Sequence, residues 1–248
     1  LGLYCFSPPM LIAGASADSA ILASWGLFGL VFTGIGVAHT LYAPAKRWRP
    51  RILLLGLAIG LTAAASVGAA VAGLLLATVF MLYLAPGRRL YSLMIVMIGS
   101  AVGGVVFLLC FGFNIRDVNA AGLIPNSEYL HFTVRRVGAF QSVPGAMLEI
   151  VTFVACTLVF LLWRRTQYFG NLAPLVVALV LPWWPGEFFP SGSVIWALPF
   201  AMVFVGGIYA DLLERRSFAG RFRKLVACTA FVVLGASAVL SLMVVTGT

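Results

Sequence analysis

Residues 52–85 read ILLLGLAIGLTAAASVGAAVAGLLLATVFMLYLA, thirty-four residues without a charge. As one helix at about 1.5 Å per residue the run would be about 51 Å long, against a hydrocarbon core of about 30 Å. Arg51 closes it on one side, and Arg88 and Arg89 on the other. Because lysine and arginine stay on the cytoplasmic side of a membrane, both ends belong to one compartment and the run is predicted to cross twice. The break is expected near Ser66, Val67 and Gly68, where Ala63, Ala64, Ala65, Ala69 and Ala70 let two backbones approach closely. A single tilted helix is the alternative.

The rest of the chain follows the same ruler. Of its 248 residues 62% are hydrophobic and 9% charged, with a mean hydropathy of +1.07. A soluble domain carries about 25% charged residues, so a soluble globular enzyme, a disordered tail and a nucleic-acid-binding domain are excluded together. The net charge of +9 does not form one basic face, because the sixteen lysines and arginines sit in short clusters between apolar runs. Further spans are predicted at 21–42, 90–112, 145–163, 168–184, 194–213 and 225–245, the fourth interrupted by Pro174 and Pro182. Residues 1–11 read as the tail of an incoming helix. The sum is an all-α, polytopic transmembrane protein of about nine membrane segments, including the short helix hairpin at 52–85. It forms one transmembrane domain over 1–248, and its apolar opening at Leu1 suggests the C-terminal portion of a longer chain.

In this orientation thirteen of the sixteen basic residues are cytoplasmic, and Arg116, Arg135 and Arg136 are the exceptions. Asp18, Asp117, Glu128, Glu149 and Glu187 fall outside or near the outer surface, with Asp211 and Glu214 inside. Carboxylate chemistry is therefore expected on the extracytoplasmic face. The four cysteines are widely spaced and lack a metal-binding pattern. No Walker loop, HExxH or GxSxG motif occurs.

Asp18, among small residues at the mouth of the 21–42 helix, is the sharpest candidate for chemistry. A carboxylate beside hydrocarbon needs a partner, a wet cavity or a metal, although an N-cap role for Asp18 or Ser16 explains it equally simply. The extracytoplasmic connection 113–144 contains an amphipathic helix near 128–140 with Tyr129, Phe132, Arg136 and Phe140 on one face. Arg135 and Arg136 there have the planar donors for a phosphate, His131 a proton donor, and Glu128 an acid. The plainer alternative is a surface helix whose arginines meet lipid headgroups. Glu187 lies in a Trp- and Pro-rich outer loop that reads as structural, Glu149 sits one turn into its span, and Asp211 is spaced to pair with Arg215.

The stretch Phe6-Ser7-Pro8-Pro9-Met10-Leu11-Ile12-Ala13, followed by Asp18, resembles a recurring segment of the C-type membrane glycosyltransferases, which include protein O-mannosyltransferases and aminoarabinose transferases. Residues 56–61, Gly-Leu-Ala-Ile-Gly-Leu, and the late element Ala197-Leu198-Pro199-Phe200 are similar to later parts of that family's pattern. The chain departs from the pattern where the family has an acidic first extracytoplasmic loop, a lysine after the Gly-Leu stretch, and a tyrosine or arginine before the late Leu-Pro. The resemblance implies transfer of a sugar from a polyprenyl-phosphate donor on the extracytoplasmic face of a bacterial inner membrane. It assigns Asp18 as catalytic and Arg135, Arg136, His131 and Glu128 as substrate-binding, leaving a divalent cation open as cofactor. Membrane lipid and the lipid-linked sugar are the expected partners, and nucleic acid is not. A transporter or flippase for a lipid-linked or small solute, and a non-catalytic membrane scaffold, are the competing readings.

Overall fold

The computed structural model describes residues 7, 10–11, 19–114, 116–117, 146–183, 193–214 and 220–246. Among them eight α-helices follow one another, joined by short 3-10 turns, and no strand occurs. The helices are α1 (Ser19–Thr40), α2 (Trp48–Ala65), α3 (Val67–Leu84), α4 (Arg89–Cys110), α5 (Ala146–Leu162), α6 (Phe169–Val180), α7 (Ser193–Glu214) and α8 (Gly220–Thr246). Six of these, α1 to α4, α7 and α8, are long and apolar enough to cross a membrane, while α5 and α6 are apolar but shorter. The protein is a helical integral membrane protein.

The described residues cluster into two compact units. One draws on Ser19–His131 and Trp184–Trp196, the other on Leu1–Asp18, Phe132–Trp183 and Ala197–Thr248.

In the first unit the run 52–85 divides where its small residues lie. Ser66 is the single non-helical residue between α2 and α3, at φ −164° and ψ 116°. Its hydroxyl accepts from the Ala69 amide at 3.3 Å, capping α3, while its own amide donates to the Thr62 carbonyl at 2.7 Å. Neighbouring positions give the directions. Gly26 lies against Thr62 and Gly36 against Arg51, so α2 runs antiparallel to α1. Gly73 lies against Leu27 and Leu30, and Gly34 against Ala77, so α3 runs parallel to α1. The helices α2 and α3 thus form the expected hairpin. Gly56 meets Gly99 and Val102, and Gly60 meets Gly103 and Val106, which sets α4 parallel to α2. The four helices alternate in direction around a core of Leu30, Val37, Leu41, Leu55, Ile59, Met81 and Ile95.

The tightest helix contact of this unit joins α2 and α4, which are not neighbours in sequence. Gly56 and Gly60 on α2, and Gly99 and Gly103 on α4, are each four residues apart and stack as two matching stripes. A methyl group added at Gly60 would stand 2.6 Å from Val106 Cβ and 2.7 Å from the Gly103 carbonyl oxygen. One added at Gly103 would stand 2.6 Å from Ile59 Cγ2 and 3.2 Å from the Gly56 carbonyl oxygen. Lipid tails are as apolar as leucine, so helices in a membrane adhere through close van der Waals contact, and glycine permits it.

In the second unit, aromatic side chains fill the core. Phe204 of α7 meets Phe153 and Phe160 of α5 at centroid distances of 5.6 and 5.8 Å, beside Cys156, Leu175, Val205 and Ile208. Helix α6 is only twelve residues long and runs through the buried Pro174, then tightens into the 3-10 turn Leu181–Trp183. Pro174 lacks the amide that would bond the Gly170 carbonyl. The 168–184 span is therefore shorter and less regular than its sequence length suggests. Helix α8 starts at Gly220, earlier than the expected 225, because Arg221, Arg223 and Lys224 extend it as an exposed first turn.

Candidate functional site

The described residues hold three groups of polar side chains, each fixed by its helix ends. The first lies at the far end of α4. The helix closes with the amide of Phe113 on the Leu108 carbonyl and that of Gly112 on the Leu109 carbonyl, at 2.8 and 3.1 Å. This is the Schellman pattern, with Gly112 and Phe113 both at positive φ, 55° and 59°. It turns the chain into Asn114, whose amide group donates to the Asp117 carboxylate at 3.0 Å and whose oxygen accepts from the Arg116 amide at 3.1 Å. Arg116 and Asp117 thus stand at the opposite end of α4 from Arg88 and Arg89, as the charge pattern requires.

The second group ties the start of α6 to the end of α7. Asn171, which is buried, donates from one amide nitrogen to the Asp211 carboxylate at 2.8 Å and to the Thr166 carbonyl at 3.0 Å. The Tyr168 hydroxyl donates to the other Asp211 oxygen at 3.2 Å. Gly207 makes room, because the Asn171 side-chain oxygen lies where its β-carbon would be. Partial burial, followed by the Asp211 charge and hydrogen bond, pushes the Tyr168 phenol above its ordinary range. Gln167 and Thr166 close the turn by donating to the Phe160 and Trp163 carbonyls at the end of α5. The expected partner of Asp211, Arg215, lies outside the described residues; among those described, Asn171 and Tyr168 hold its carboxylate. This group is a structural clasp, in which the Asn171 amide and the Tyr168 hydroxyl hold both oxygens of the Asp211 carboxylate.

The third group is different. Glu149, one turn into α5, is only 8% exposed, and both carboxylate oxygens lack a hydrogen-bond partner among the described residues. The Ser7 hydroxyl, fully buried, faces it without closing a hydrogen bond in strict geometry. Thr152 on the next turn offers no help, since its hydroxyl donates to the Leu148 carbonyl at 2.7 Å. A buried carboxylate left bare costs several kcal/mol, so an unpartnered acid of this kind marks a place for a cation, a hydroxyl or a proton. Fifteen residues separate Glu149 from Arg164, about 22 Å along a helix, so the acid stands at the end of α5 away from its arginine turn.

Asp18, Glu128, His131, Arg135 and Arg136 lie outside the described residues, as do the 128–140 helix and Glu187. Ser7 belongs to the segment that carries the family resemblance, but Glu149 was not singled out by any motif. The signal that finds it is simple: a lone acid inside an apolar helix is expensive and needs a reason. Among the described residues no three His, Cys, Asp or Glu side chains gather as a metal site.

Compared with known protein families, with curated proteins and with solved structures, the chain shows no match. The likeness of residues 6–13 with Asp18, of 56–61 and of 197–200 to the C-type glycosyltransferases therefore stands on those residues alone.

Proposed function

We propose that the protein is a glycosyltransferase-like enzyme of the bacterial inner membrane, moving a sugar from a polyprenyl-phosphate donor to an acceptor on the extracytoplasmic face. The observation that carries this reading is Glu149: a buried, unpartnered carboxylate facing Ser7, at the end of α5 opposite its basic turn. The donor is confined to the lipid, so a site at the outer boundary reaches it by lateral diffusion. In the transfer, an acceptor hydroxyl bonds to the anomeric carbon, the bond to phosphate breaks with its electron pair, and a carboxylate takes the hydroxyl proton. Asp18 is assigned that proton. Arg135 and Arg136 are assigned the leaving phosphate, whose growing charge they would offset, with Glu128 and His131 lining the donor. Glu149 and Ser7 join them as binding residues for sugar hydroxyls. Nine membrane segments are assigned in this reading: the six long helices, the shorter α5 and α6, and residues 1–11.

The short, proline-bearing α6 favours a second reading, a flippase for a lipid-linked solute, because broken helices line transport paths. Such a path needs free polar groups within the helices. Four threonines inside the described helices spend their hydroxyls on their own backbones, Thr62 on Ala58, Thr78 on Leu74, Thr152 on Leu148 and Thr157 on Phe153.

The test is reconstitution of the full-length protein in liposomes with a polyprenyl phosphate bearing a labelled sugar. Release of label to acceptor or water is expected, and Asp18→Asn and Glu149→Gln are each expected to lower it at least tenfold with thermal stability retained. Label that crosses the bilayer still attached to its lipid would establish the flippase. Transfer unchanged in both variants would remove these acids from the chemistry.

A further inference from the structure

Between Asp18 and Asp117 the sequence contains no acid, yet it contains seven lysines and arginines, and the fold gathers six of them at one end of the first unit, with Arg116 at the other. The turns Ala45–Arg47 and Pro86–Arg88 come together beside the end of α1, where the Arg88 guanidinium donates to the Leu41 carbonyl. Arg51 donates across to the Gly36 carbonyl at 2.9 Å. Lys46, Arg47, Arg49 and Arg89 are exposed and have no hydrogen-bond or ion-pair partner among the described residues. Around them stands an aromatic collar. Arg88 lies over the rings of Tyr42 and Tyr91 at 5.6 and 6.0 Å, and Trp48 meets Tyr91 edge-on at 5.7 Å while its indole donates to the Ala43 carbonyl at 3.0 Å.

We propose that this basic, aromatic-collared end binds the phosphate of an anionic phospholipid, with Lys46, Arg47, Arg49 and Arg89 as its contacts and Arg88 as the fixed centre. Three features point to lipid as the source of the anion. The unit's one described acid, Asp117, is at the other end of α4 and occupied by Asn114. Tryptophan and tyrosine are residues of the membrane interface, where headgroups lie. Directly beyond the basic turn Leu53, Leu54, Leu90 and Met94 are exposed on α2 and α4, so acyl chains have apolar surface to follow. The Leu41 carbonyl and two tyrosine rings hold Arg88 in place before any ligand arrives, which lowers the ordering cost of binding. The proposal is independent of the sugar chemistry.

Native mass spectrometry of the whole protein, released from vesicles of phosphatidylcholine mixed with phosphatidylglycerol, tests it. Phosphatidylglycerol should be retained preferentially. Each charge removed in Arg47→Gln, Arg49→Gln and Arg89→Gln should weaken retention about fivefold, from the typical worth of one basic residue at an anionic surface. Arg88→Lys, which keeps the charge and loses the flat stacking surface, should weaken it too. The triple variant Arg221→Gln, Arg223→Gln, Lys224→Gln at the start of α8 is the reference. Equal losses in this reference and in the combined Arg47→Gln, Arg49→Gln, Arg89→Gln variant would mean diffuse attraction and overturn the site, as would equal retention of the two lipids. Displacement of the lipid by inorganic phosphate would make the ligand a soluble anion and overturn the lipid assignment.

Discussion

The α1–α4 unit and the α5–α8 helices solve the same problem, holding helices together in a solvent that does not push them together, by different means. In the first, glycines at 56, 60, 99 and 103 remove side chains and let backbones touch, so specificity resides in absence of bulk. In the second, phenylalanines 153, 160 and 204 fill the space, and a polar clasp of Asn171, Tyr168 and Asp211 pins the helix ends. The first arrangement tolerates no added atoms; the second tolerates no lost partners. The lesson is that one apolar composition encodes two kinds of precision, and that substitutions of opposite kind should find each unit's weak point.

The largest effect is expected where a side chain is added to the glycine stripe. Gly60→Val should cost about 3 kcal/mol or more, the upper range for overpacking, since backbone oxygen lies in the way. Gly104→Ala, one residue from the stripe and facing open space, should be close to neutral. Unfolding of the two variants in detergent checks the pair, and similar stabilities would break the comparison. Next comes removal of a partner: Asn171→Leu leaves one Asp211 oxygen and the Thr166 carbonyl without their donor and should cost about 1–3 kcal/mol, read by the same unfolding measurement.

Ser66→Ala should cost about 1 kcal/mol by uncapping α3, and Ser66→Asp, which restores an acceptor, should recover part of it. The smallest effect is a titration. The Tyr168 phenol is held above its usual range, so the folded state retains that proton where the unfolded chain has lost it. Its contribution to stability is full below the unfolded pKa and disappears as pH rises through the folded one. Ultraviolet titration should show Asp211→Asn bringing Tyr168 back toward the ordinary phenol range, and an unmoved titration would take Asp211 out of its environment.

The helices were legible because the bilayer imposes one length and the arginines one side. The corner at Ser66 was legible too, from the arithmetic of a 34-residue run closed by positive charge at both ends. The pairing of α2 with α4 was not. Gly56 and Gly60, and Gly99 and Gly103, are visible as spacings, but nothing in a linear string says which glycine stripe meets which. Pro174 was read as an interruption, whereas α6 passes through it. Glu149 was visible as an acid in a span, but its isolation became apparent only with the burial of Ser7 beside it. Asp18 and the arginine pair at 135 and 136 stand out by residue chemistry and family likeness, and lie outside the described residues.

The Ser66 corner has a practical consequence. With one residue joining two membrane-crossing helices, the aqueous phase is offered almost no chain on that side. A protease, a thiol-labelling reagent or an inserted reporter aimed there would meet silence, and a topology map drawn from accessibility would record one passage where the polypeptide makes two. Every later loop would then be assigned to the wrong compartment.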